Sequence, residues 1–312
     1  MSERNRRWVY LLVLSLIWGS SYILIKKGLE GFTPLQLGSI RITMAAAMLL
    51  GIGWRSLRTI GPGQWKWVAL SGVVGSLVPM YLFAFAETEI DSGITAVLNS
   101  LVPIFTIFVG YFAFGIPFTR NQVAGVGLGL AGALVLILLG AGINPGRDYS
   151  YALLVVLASL GYACNANIIK SKLSGVSPMG IAVGNFVCIL PVALVMLIVS
   201  SSLSVGVRQA PTFVPALGYV FVLCLFGTCV AKVMFNRLIQ ISTPVFSVSV
   251  TYLIPVVGIL WGVLDGERFS VGQLGAAGLI LGGIYLVNKQ KRHPKRSAFP
   301  ENAMANQSKS DS

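Results

Sequence analysis

The sequence has few charged residues and few reactive side chains. Only 11% of its 312 residues are Asp, Glu, Lys or Arg, whereas soluble domains carry about 25%. The single histidine, His293, lies in a polar tail, which excludes a histidine proton relay inside a membrane. The four cysteines lie in apolar runs without CxxC spacing, so we expect them to pack as small apolar side chains. Linkers between the runs are no longer than about 15 residues, which leaves no room between them for a soluble domain.

Long apolar runs make up most of the chain. Hydrophobic residues account for 55% of it, and the mean hydropathy is +0.80. A helix of about 20 residues crosses about 30 Å of hydrocarbon. The first run is not followed by a small-residue cleavage site and is therefore predicted to be retained rather than removed as a signal peptide. We predict an all-α integral membrane protein with ten transmembrane helices, at 8–26, 34–53, 66–86, 92–114, 121–141, 150–169, 178–200, 214–236, 244–264 and 271–288.

The positive charge is distributed unevenly among the predicted loops. The formal net charge is +13, and membrane proteins concentrate Lys and Arg in their cytoplasmic loops. With the N-terminus inside, sixteen of the 23 basic residues fall on the cytoplasmic side and two within spans, leaving outside Lys26, Lys27, Arg147, Arg208 and Arg268. The distribution predicts that both termini are cytoplasmic. It also indicates contact with anionic lipid headgroups rather than with nucleic acid.

The two halves of the chain resemble each other. The stretch "NSLVPIFTIFVG" at 99–110 aligns with "TYLIPVVGILWG" at 251–262 at an offset of 152 residues. The offset is 144 earlier in the halves and 151 later. The equivalent pairs include Pro103 and Pro255, Gly75 and Gly227, Trp18 and Tyr162, Lys26 and Lys170, and Gly132 and Gly283.

The number of spans in each copy has a topological consequence. Because five is odd, the second copy enters the membrane in the opposite orientation, and such inverted repeats are typical of secondary transporters with a site shared by the halves. The paired prolines each remove one backbone hydrogen bond near mid-membrane, and the freed carbonyl can face a cavity but not lipid. A simple helix kink is the alternative.

The predicted organisation follows from these repeats and from the polar ends of the chain. A segment poor in apolar residues is typically disordered. The parts are a cytoplasmic N-terminus at 1–7, a first five-helix repeat at 8–141, a linker at 142–149, a second five-helix repeat at 150–288 and a basic, disordered cytoplasmic tail at 289–312.

Two patterns resemble the drug/metabolite transporter superfamily, in particular its EamA family of ten-span bacterial permeases. One is "LIWGSSYILIKKGL" followed by "TPLQLGSIRITMAA", and the other is "TPVFSVSVTYLIPVVGILWGVLDGERFSVGQLGAAGLILGG", which contains Gly266 and Glu267. The resemblance covers essentially residues 8–288. It implies a transporter in the bacterial inner membrane that exports amino acids and other small metabolites, often coupled to protons. In the first half, "FGIPFTRNQ" departs from the pattern, since Ile116 replaces the acid.

Two cations lie within the predicted spans. Arg41 lies about 10 Å below the outer end of the second helix at the helical rise. An intramembrane charge usually faces a cavity or a partner, although Arg41 could instead bind helix carbonyls or snorkel outwards. Lys232 lies near the inner end of the eighth span, where it either snorkels to the headgroups or binds a substrate carboxylate. We expect a small-molecule substrate, in particular amino acids or related zwitterions, because these cations suit a carboxylate and the aromatic residues a side chain.

Polar and aromatic side chains of both halves complete the candidate substrate site. Residues three or four apart share a helix face, as do Trp18, Ser21 and Tyr22. Isolated polar residues in a membrane bundle can also serve only to hold helices together. The predicted substrate-binding residues are Trp18, Ser21, Tyr22, Arg41, Tyr81, Asn99, Pro103, Tyr162, Asn165, Lys232, Asn236, Tyr252 and Pro255.

No acidic residue lies clearly at mid-membrane. Glu87, Glu89 and Asp91 are predicted to lie in a short outer loop. Glu267, at the outer end of the ninth span, is predicted to be a solvated acid or a partner of Arg268. A proton-coupling carboxylate is therefore not evident. Protons stay a candidate coupling ion, and Glu267 is the first residue to test.

The stretch "GLGLAG" at 127–132 fits the dinucleotide fingerprint G-x-G-x-x-G but lacks its context. The fingerprint follows a strand in a soluble unit, whereas this stretch lies inside an apolar span. We expect Gly125, Gly129, Gly278 and Gly282 to allow close helix packing instead. We predict no cofactor, no metal and no catalytic residue.

Two other functions compete with export of zwitterions. A lipid or amphiphile transporter, such as a flippase, would be favoured by a cavity open sideways to lipid. A membrane-embedded enzyme would need clustered His, Asp or Glu, and the sole cluster is the short outer loop with Glu87. A complete pair of repeats in one chain is compatible with a functional monomer.

Overall fold

The computed structural model describes residues 3–114, 120–143, 146–202 and 204–288. These ranges are almost entirely helical and contain no strand. Ile116, the tail at 289–312 with His293, and part of the linker at 142–149 lie outside the described residues.

The described part of the first half of the chain forms seven α-helices. A short π-helical segment, Val73–Leu77, joins the third to the fourth. The helices are α1 (Glu3–Leu29), α2 (Pro34–Gly53), α3 (Trp65–Gly72), α4 (Val78–Ala86), α5 (Ser92–Asn99), α6 (Val102–Phe114) and α7 (Arg120–Ile143).

The second half, over the residues that the structure describes, forms eight α-helices. Here the π-helical segment is Leu223–Val230, between α11 and α12, and a 3₁₀ turn at Ser249–Tyr252 precedes α14. The helices are α8 (Ala152–Lys172), α9 (Pro178–Val199), α10 (Val205–Gln209), α11 (Phe213–Val222), α12 (Ala231–Ile241), α13 (Pro244–Val248), α14 (Ile254–Leu264) and α15 (Val271–Asn288).

The helices join into rods that match the predicted apolar runs. The prediction of an all-α membrane protein is confirmed, while the arrangement of ten spans as an inverted repeat stays a prediction. Two shorter apolar segments, Val123–Leu139 and Val271–Gly283, occupy the fifth and tenth predicted positions. Within the described residues, eight rods are long and apolar enough to cross a bilayer, namely Asn5–Leu29, Pro34–Thr59, Pro62–Ala86, Ser92–Ala113, Tyr149–Lys172, Pro178–Val199, Phe213–Ile241 and Pro244–Leu264.

A hydroxyl residue followed by proline starts helices in both halves. Thr33 precedes Pro34 and forms a capping box with Gln36 at the start of α2. Ser177 and Thr243 likewise accept hydrogen bonds from backbone N–H groups at the starts of α9 and α13. These side chains satisfy N–H groups that have no partner within the helix, while proline fits the first turn without losing a hydrogen bond.

The rods that contain Pro103 and Pro255 are interrupted rather than simply kinked. α5 ends at Asn99 and α6 begins at Val102, while the 3₁₀ turn Ser249–Tyr252 separates α13 from α14. Each proline is buried and is the second residue of the helix that follows the break. Its missing N–H therefore falls at a position that has no partner within the helix.

Buried apolar residues gather toward the two ends of the bundle. We call the end where α1, α4 and α14 finish the Glu267 end, and the end where α8 and α12 finish the Lys170 end. One core cluster, which includes Phe32 and Ile90, lies at the Glu267 end. A second, which includes Leu11 and Ile239, lies at the Lys170 end. A third fills the contact between α2 and α9.

Close glycine packing holds α7 against α15. A Cβ atom on Gly283 would lie 2.5 Å from the backbone nitrogen of Gly129 and 2.6 Å from the carbonyl oxygen of Gly125. The equivalent Gly132 faces the backbone of Ile280. The packing prediction was thus right for Gly125 and Gly129 but wrong about their partner. A Cβ on Gly278 would have no described atom within 4 Å, and one on Gly282 would make only ordinary contact with Leu128.

Candidate functional site

A cavity lies between the two end clusters, at the level of the helix breaks. Its volume is about 90 Å³, which is smaller than the roughly 300–1,000 Å³ of most ligand pockets. Its wall includes residues of both halves of the chain and is mainly apolar, with a few polar groups. The polar and aromatic lining residues are Trp18, Tyr22, Arg41, Ser76, Phe83, Asn99, Tyr162, Asn165, Thr228, Lys232, Phe235 and Thr251.

Arg41 places a guanidinium group in the cavity wall. The residue is 7% exposed, and its Nε donates a hydrogen bond of 3.2 Å to Oγ1 of Thr228. Thr228 belongs to the π-helical segment Leu223–Val230. Arg41 therefore joins α2 of the first half to the rod Phe213–Ile241 of the second half, and the snorkelling alternative does not describe it.

Lys232 is buried to the same extent. Its Nζ donates to the carbonyl oxygen of Gly75 at 2.9 Å and to Oγ of Ser76 at 2.8 Å, and the residue is 7% exposed. Both acceptors belong to the π-helical segment Val73–Leu77. Such segments widen the helix and are frequent at functional sites. Lys232 thus points into the bundle rather than toward headgroups.

The charge of the cavity wall is positive. No described carboxylate lies within ion-pair distance of Arg41 or Lys232, and no carboxylate belongs to the described cavity lining. A buried charge without a counterion is unfavourable. The wall is consequently electrostatically suited to a ligand that brings a negative group.

Aromatic rings form the rest of the recognition surface. Trp18 packs edge-on against Phe235 with ring centroids 4.9 Å apart. Phe83 meets Tyr22 edge-on at 5.7 Å and stacks with Tyr162 at 5.9 Å. The indole Nε1 of Trp18 donates to the carbonyl of Gly227 at 3.1 Å, which fixes the ring against the second π-helical segment. Rings of this kind bind apolar side chains and, over their faces, cations.

Two amides in the wall are held by serines. Oδ1 of Asn165 accepts a hydrogen bond of 2.6 Å from Ser71, and Oδ1 of Asn99 accepts one of 3.3 Å from Ser159. All four residues are buried. The serines fix the orientation of each amide, so that the side chains are positioned before a ligand arrives.

Six of the thirteen predicted site residues lie outside the cavity lining. Pro103 and Pro255 are buried at the helix breaks, and Tyr252 lines a separate depression at the Lys170 end. The side chains of the other three are hydrogen-bonded to neighbouring protein groups. The Ser21 hydroxyl donates to the carbonyl of Ile17, Tyr81 hydrogen-bonds Ser39, and Asn236 donates to the carbonyl of Pro178.

Several lining residues were not among the predicted ones. Ser76, Met80 and Phe83 follow each other at helical spacing on α4 and the segment before it, and in the second half Thr228 and Phe235 share this spacing with the predicted Lys232. This i, i+4, i+7 periodicity was readable in the sequence. In a rod that is apolar all round, however, it does not say which face meets a cavity.

A group of charged residues closes the Glu267 end of the bundle. This Glu267 cluster comprises Lys26, Lys27, Ser92, Asp265 and Glu267. Lys26 Nζ lies 2.8 Å from a carboxyl oxygen of both Asp265 and Glu267. Burial opposes ionisation of Asp265, but hydrogen bonds from the two lysines outweigh it and keep the pKa of that carboxyl below its usual range.

Glu267 itself caps α5. Its carboxyl oxygens accept hydrogen bonds from the backbone N–H groups of Ser92 at 3.0 Å and Gly93 at 3.1 Å, and from the Ser92 hydroxyl at 2.6 Å. A carboxylate is favourable at a helix N-terminus. The side chain is 2% exposed, so the prediction of a solvated acid or a partner of Arg268 is wrong.

The short loop predicted for the three neighbouring acids is the turn between α4 and α5, but Glu87 is buried in it. Glu89 and Asp91 contact the loop that precedes α8, through the Asp148 backbone and Arg147. Glu87 is instead 6% exposed. Among the described residues, no three His, Cys, Asp or Glu side chains form a group that could hold a metal ion.

Comparison with known proteins identifies the family. The model of the EamA-like transporter family matches twice, at residues 7–138 and 149–289. The chain belongs to this family of transporters. The resemblance of its two sequence patterns to EamA proteins is thereby confirmed.

Relatives of this EamA protein are named as membrane transporters. An "Uncharacterized inner membrane transporter YedA" of Escherichia coli K12 is 30% identical over 286 residues, which are 90% of each chain. A "Probable amino-acid metabolite efflux pump" of Salmonella typhimurium is 29% identical over 314 residues, covering 91% of this chain and 95% of its own. A solved crystal structure superposes with a TM-score of 0.64 at 17% identity, over 92% of this chain and 97% of that one.

The relatives and the apolar helices indicate the same cellular location for this EamA protein. Its apolar rods and its inner membrane relatives describe a multi-pass inner membrane protein. Membership of the family points to a transporter rather than to an enzyme.

Proposed function

We propose that the protein is a secondary transporter that exports amino acids or related zwitterions across the bacterial inner membrane by alternating access. The observation that carries the proposal is the cavity with two buried cations, Arg41 and Lys232, and no described carboxylate in its lining. The printed name of one relative, an amino-acid metabolite efflux pump, points to the same substrate class.

The chemistry of the wall supports a zwitterion as the substrate. A substrate carboxylate satisfies the guanidinium of Arg41 or the ammonium of Lys232 by a charge-assisted hydrogen bond. The rings of Trp18, Tyr22 and Tyr162 supply surface for a side chain and for the substrate ammonium. Because the cations lose water in the cavity, an uncharged analogue of the substrate leaves them uncompensated.

Contacts at equivalent positions support ten spans arranged as two inverted repeats. The π-helical segments contain Gly75 and Gly227, which are equivalent at the offset of 152. Gly75 packs against Asn165, and Gly227 packs against Ser21, which is the equivalent of Asn165 at the offset of 144. The double match of one family model, at 7–138 and 149–289, agrees with this repeat.

The two ends of the bundle supply contacts that can open in turn. At the Glu267 end, Lys26 pairs with two carboxylates. At the Lys170 end, the equivalent Lys170 donates to the carbonyl oxygens of Ile239 and Gln240, each at 3.3 Å, and of Ser242 at 2.5 Å. We infer that the contacts of Lys26 break while those of Lys170 hold, and the reverse. The cavity is then exposed to one side of the membrane at a time.

The orientation of the protein follows from its charges. Lys and Arg concentrate in the loops on the side of both termini, and this side is cytoplasmic by the positive-inside rule. The Glu267 end is then periplasmic. Export is the direction named for the efflux-pump relatives.

Substrate counterflow in proteoliposomes tests the proposal. Vesicles are loaded with single amino acids from a panel, and uptake of the same labelled amino acid is followed. We expect accumulation for one chemical group of amino acids, and its loss in Arg41→Ala and Lys232→Ala. Arg237→Ala is the control, because Arg237 lies on the same helix as Lys232 but outside the cavity lining.

The outcomes separate the candidate functions. Wild-type rates in both cavity variants, shown to be folded and inserted, would contradict carboxylate binding by these cations. Absence of counterflow for every amino acid, together with movement of a labelled lipid between leaflets, would instead assign the protein to amphiphile transport.

A further inference from the structure

The carboxyl group of Glu87 has no hydrogen-bond partner among the described residues, whereas the other acids with described side chains are each hydrogen-bonded or ion-paired. It follows the last residue of α4 and is 6% exposed. Neither carboxyl oxygen accepts a hydrogen bond from any described residue. The other acids whose side chains the structure describes are each hydrogen-bonded or ion-paired, namely Glu30, Glu89, Asp91, Asp148, Asp265 and Glu267.

The charged groups around Glu87 are already engaged. Lys26 on α1 pairs with Asp265 and Glu267, and Arg41 on α2 donates its Nε to Thr228. The remaining titratable neighbours are Tyr22 on α1 and the negative Glu267 beyond α14. Since no cation is paired with Glu87, the neutral acid is the form that suits this site.

The balance of these surroundings favours a bound proton. Burial raises the pKa of the Glu87 carboxyl well above its usual range, and the nearby charge of Glu267 raises it further. Arg41 and Lys26 act in the opposite direction but do not cancel burial. The main chain of Lys26 also passes beside the carboxyl.

Glu87 lies between the cavity and the Glu267 cluster. Phe83, one turn earlier on α4, lines the cavity and touches the ring of Tyr22. A charge on Glu87 would act on Arg41 in the cavity wall, and the charges of Lys26 and Glu267 act on Glu87 from the closed end. Opening of the Glu267 end would therefore bring water to this carboxyl, from which it can take a proton.

We propose that Glu87 is a proton-binding site that couples proton movement to transport. It takes a proton from solvent when the Glu267 end is open, holds it as a neutral acid while that end is closed, and releases it to solvent through the cavity when the Lys170 end opens. The coupling rests on the transporter function proposed above, whereas proton binding by Glu87 does not.

Infrared difference spectroscopy tests the site without any substrate. The full chain in lipid vesicles is compared with each variant at the same pH, from about pH 5 to about pH 8, a range in which an ordinary carboxyl is ionised. We expect the C=O band of a protonated carboxylic acid in the wild type and in Glu89→Gln, and its loss in Glu87→Gln. A band that persists in Glu87→Gln, or a wild type without one, would overturn the proposal.

Transport tests the coupling in the same vesicles. We expect amino-acid accumulation by the wild type and by Glu89→Gln to respond to an imposed pH gradient, and that of Glu87→Gln to become independent of it. A response that survives in Glu87→Gln would overturn the coupling. If Glu87→Gln does not fold, Glu87→Asp keeps a carboxyl at the position, and loss of both its band and its gradient response would count against the proposal.

The two proposals fail in distinguishable ways. A Glu87 band in a folded protein that moves no amino acid would leave the proton site standing and remove the proposed function. Amino-acid counterflow without a Glu87 band would do the reverse.

Discussion

The ammonium group of Lys232 donates a 2.9 Å hydrogen bond to the carbonyl oxygen of Gly75. Lys232 follows the π-helical segment Leu223–Val230, and Gly75 lies in the π-helical segment Val73–Leu77. This contact joins the two halves of the chain across the cavity wall. It places a buried cation beside groups that are polar but uncharged, which is an arrangement for receiving a negative ligand rather than for maximal stability.

Replacement of Lys232 by Met tests whether this side chain serves substrate binding or the stability of the fold. Amino-acid exchange in proteoliposomes should be lost. The thermal unfolding midpoint in detergent should stay the same or rise, because an apolar side chain of similar size removes a buried charge. A purely structural lysine would instead lose hydrogen bonds of a charged donor, worth about 1.5 to 3 kcal/mol each. Arg237→Met should change neither quantity. A lowered midpoint with exchange intact would show that Lys232 serves the fold alone.

Two glycines on α15 should respond differently to an added methyl group. Gly283→Ala introduces a Cβ 2.5 Å from the backbone of Gly129, and overpacking of this kind costs about 1 to 3 kcal/mol. Gly278→Ala meets no described atom and should be neutral or stabilising by up to about 1 kcal/mol. Thermal unfolding of the two variants in the same detergent measures the difference. Equal midpoints would contradict the packing of α7 on α15.

Loss of the Glu267 carboxylate should weaken the closed end of the bundle. Glu267→Gln removes the charge that binds Lys26 and caps α5, and we expect a loss of about 2 to 3 kcal/mol in unfolding free energy, as for one or two charged hydrogen bonds. Glu30→Gln is the matched control. Glu30 is 55% exposed and pairs with Lys27, so its replacement should cost less than about 1 kcal/mol. If denaturation in detergent shows equal losses for both, the cluster contributes nothing beyond a surface ion pair.

The stability of the protein should depend on pH through Glu87. The folded state keeps a proton on this carboxyl up to a raised pKa, while the unfolded chain releases it near pH 4.3, within about a unit. Between these values the folded state binds more protons than the unfolded state, so this contribution to stability falls as pH rises. Glu87→Gln lacks the contribution.

Unfolding midpoints measured from about pH 5 to about pH 8 test this sign. The midpoint of Glu87→Gln minus that of the wild type should increase with pH, while Glu89→Gln should run parallel to the wild type. A difference that stays constant, or decreases, would show that Glu87 is ionised in the folded protein.

Much of the helical architecture was readable from the sequence because lipid imposes simple rules. Runs of about 20 apolar residues predict spans, and the repeat of Pro103 at Pro255 predicted two special positions, which the structure shows as helix breaks. The exact partners of α7 and α15 were not readable. In a helix with many glycines, the sequence does not say which of them, Gly278 or Gly283, meets the neighbouring backbone.

The candidate site was predictable only in part. Arg41 and Lys232 stand out as charges in apolar runs, because burying them is costly. Ser21 and Asn236 could not be separated from true lining residues, since a hydroxyl or an amide can also donate a hydrogen bond to a nearby carbonyl, as both do here. Glu87 was missed because its neighbours Glu89 and Asp91 indicate a loop, and its burial depends on packing by helices distant in sequence.

Carboxylate recognition by the cavity is tested most directly by comparing an amino acid with its own carboxamide. Proteoliposomes containing the wild-type protein are loaded with an amino acid that shows counterflow, and uptake of the labelled amino acid and of its labelled amide is followed in parallel. We expect exchange of the amino acid and none of the amide, because only the carboxylate compensates Arg41 and Lys232. Equal exchange of both compounds would contradict carboxylate recognition by the cavity.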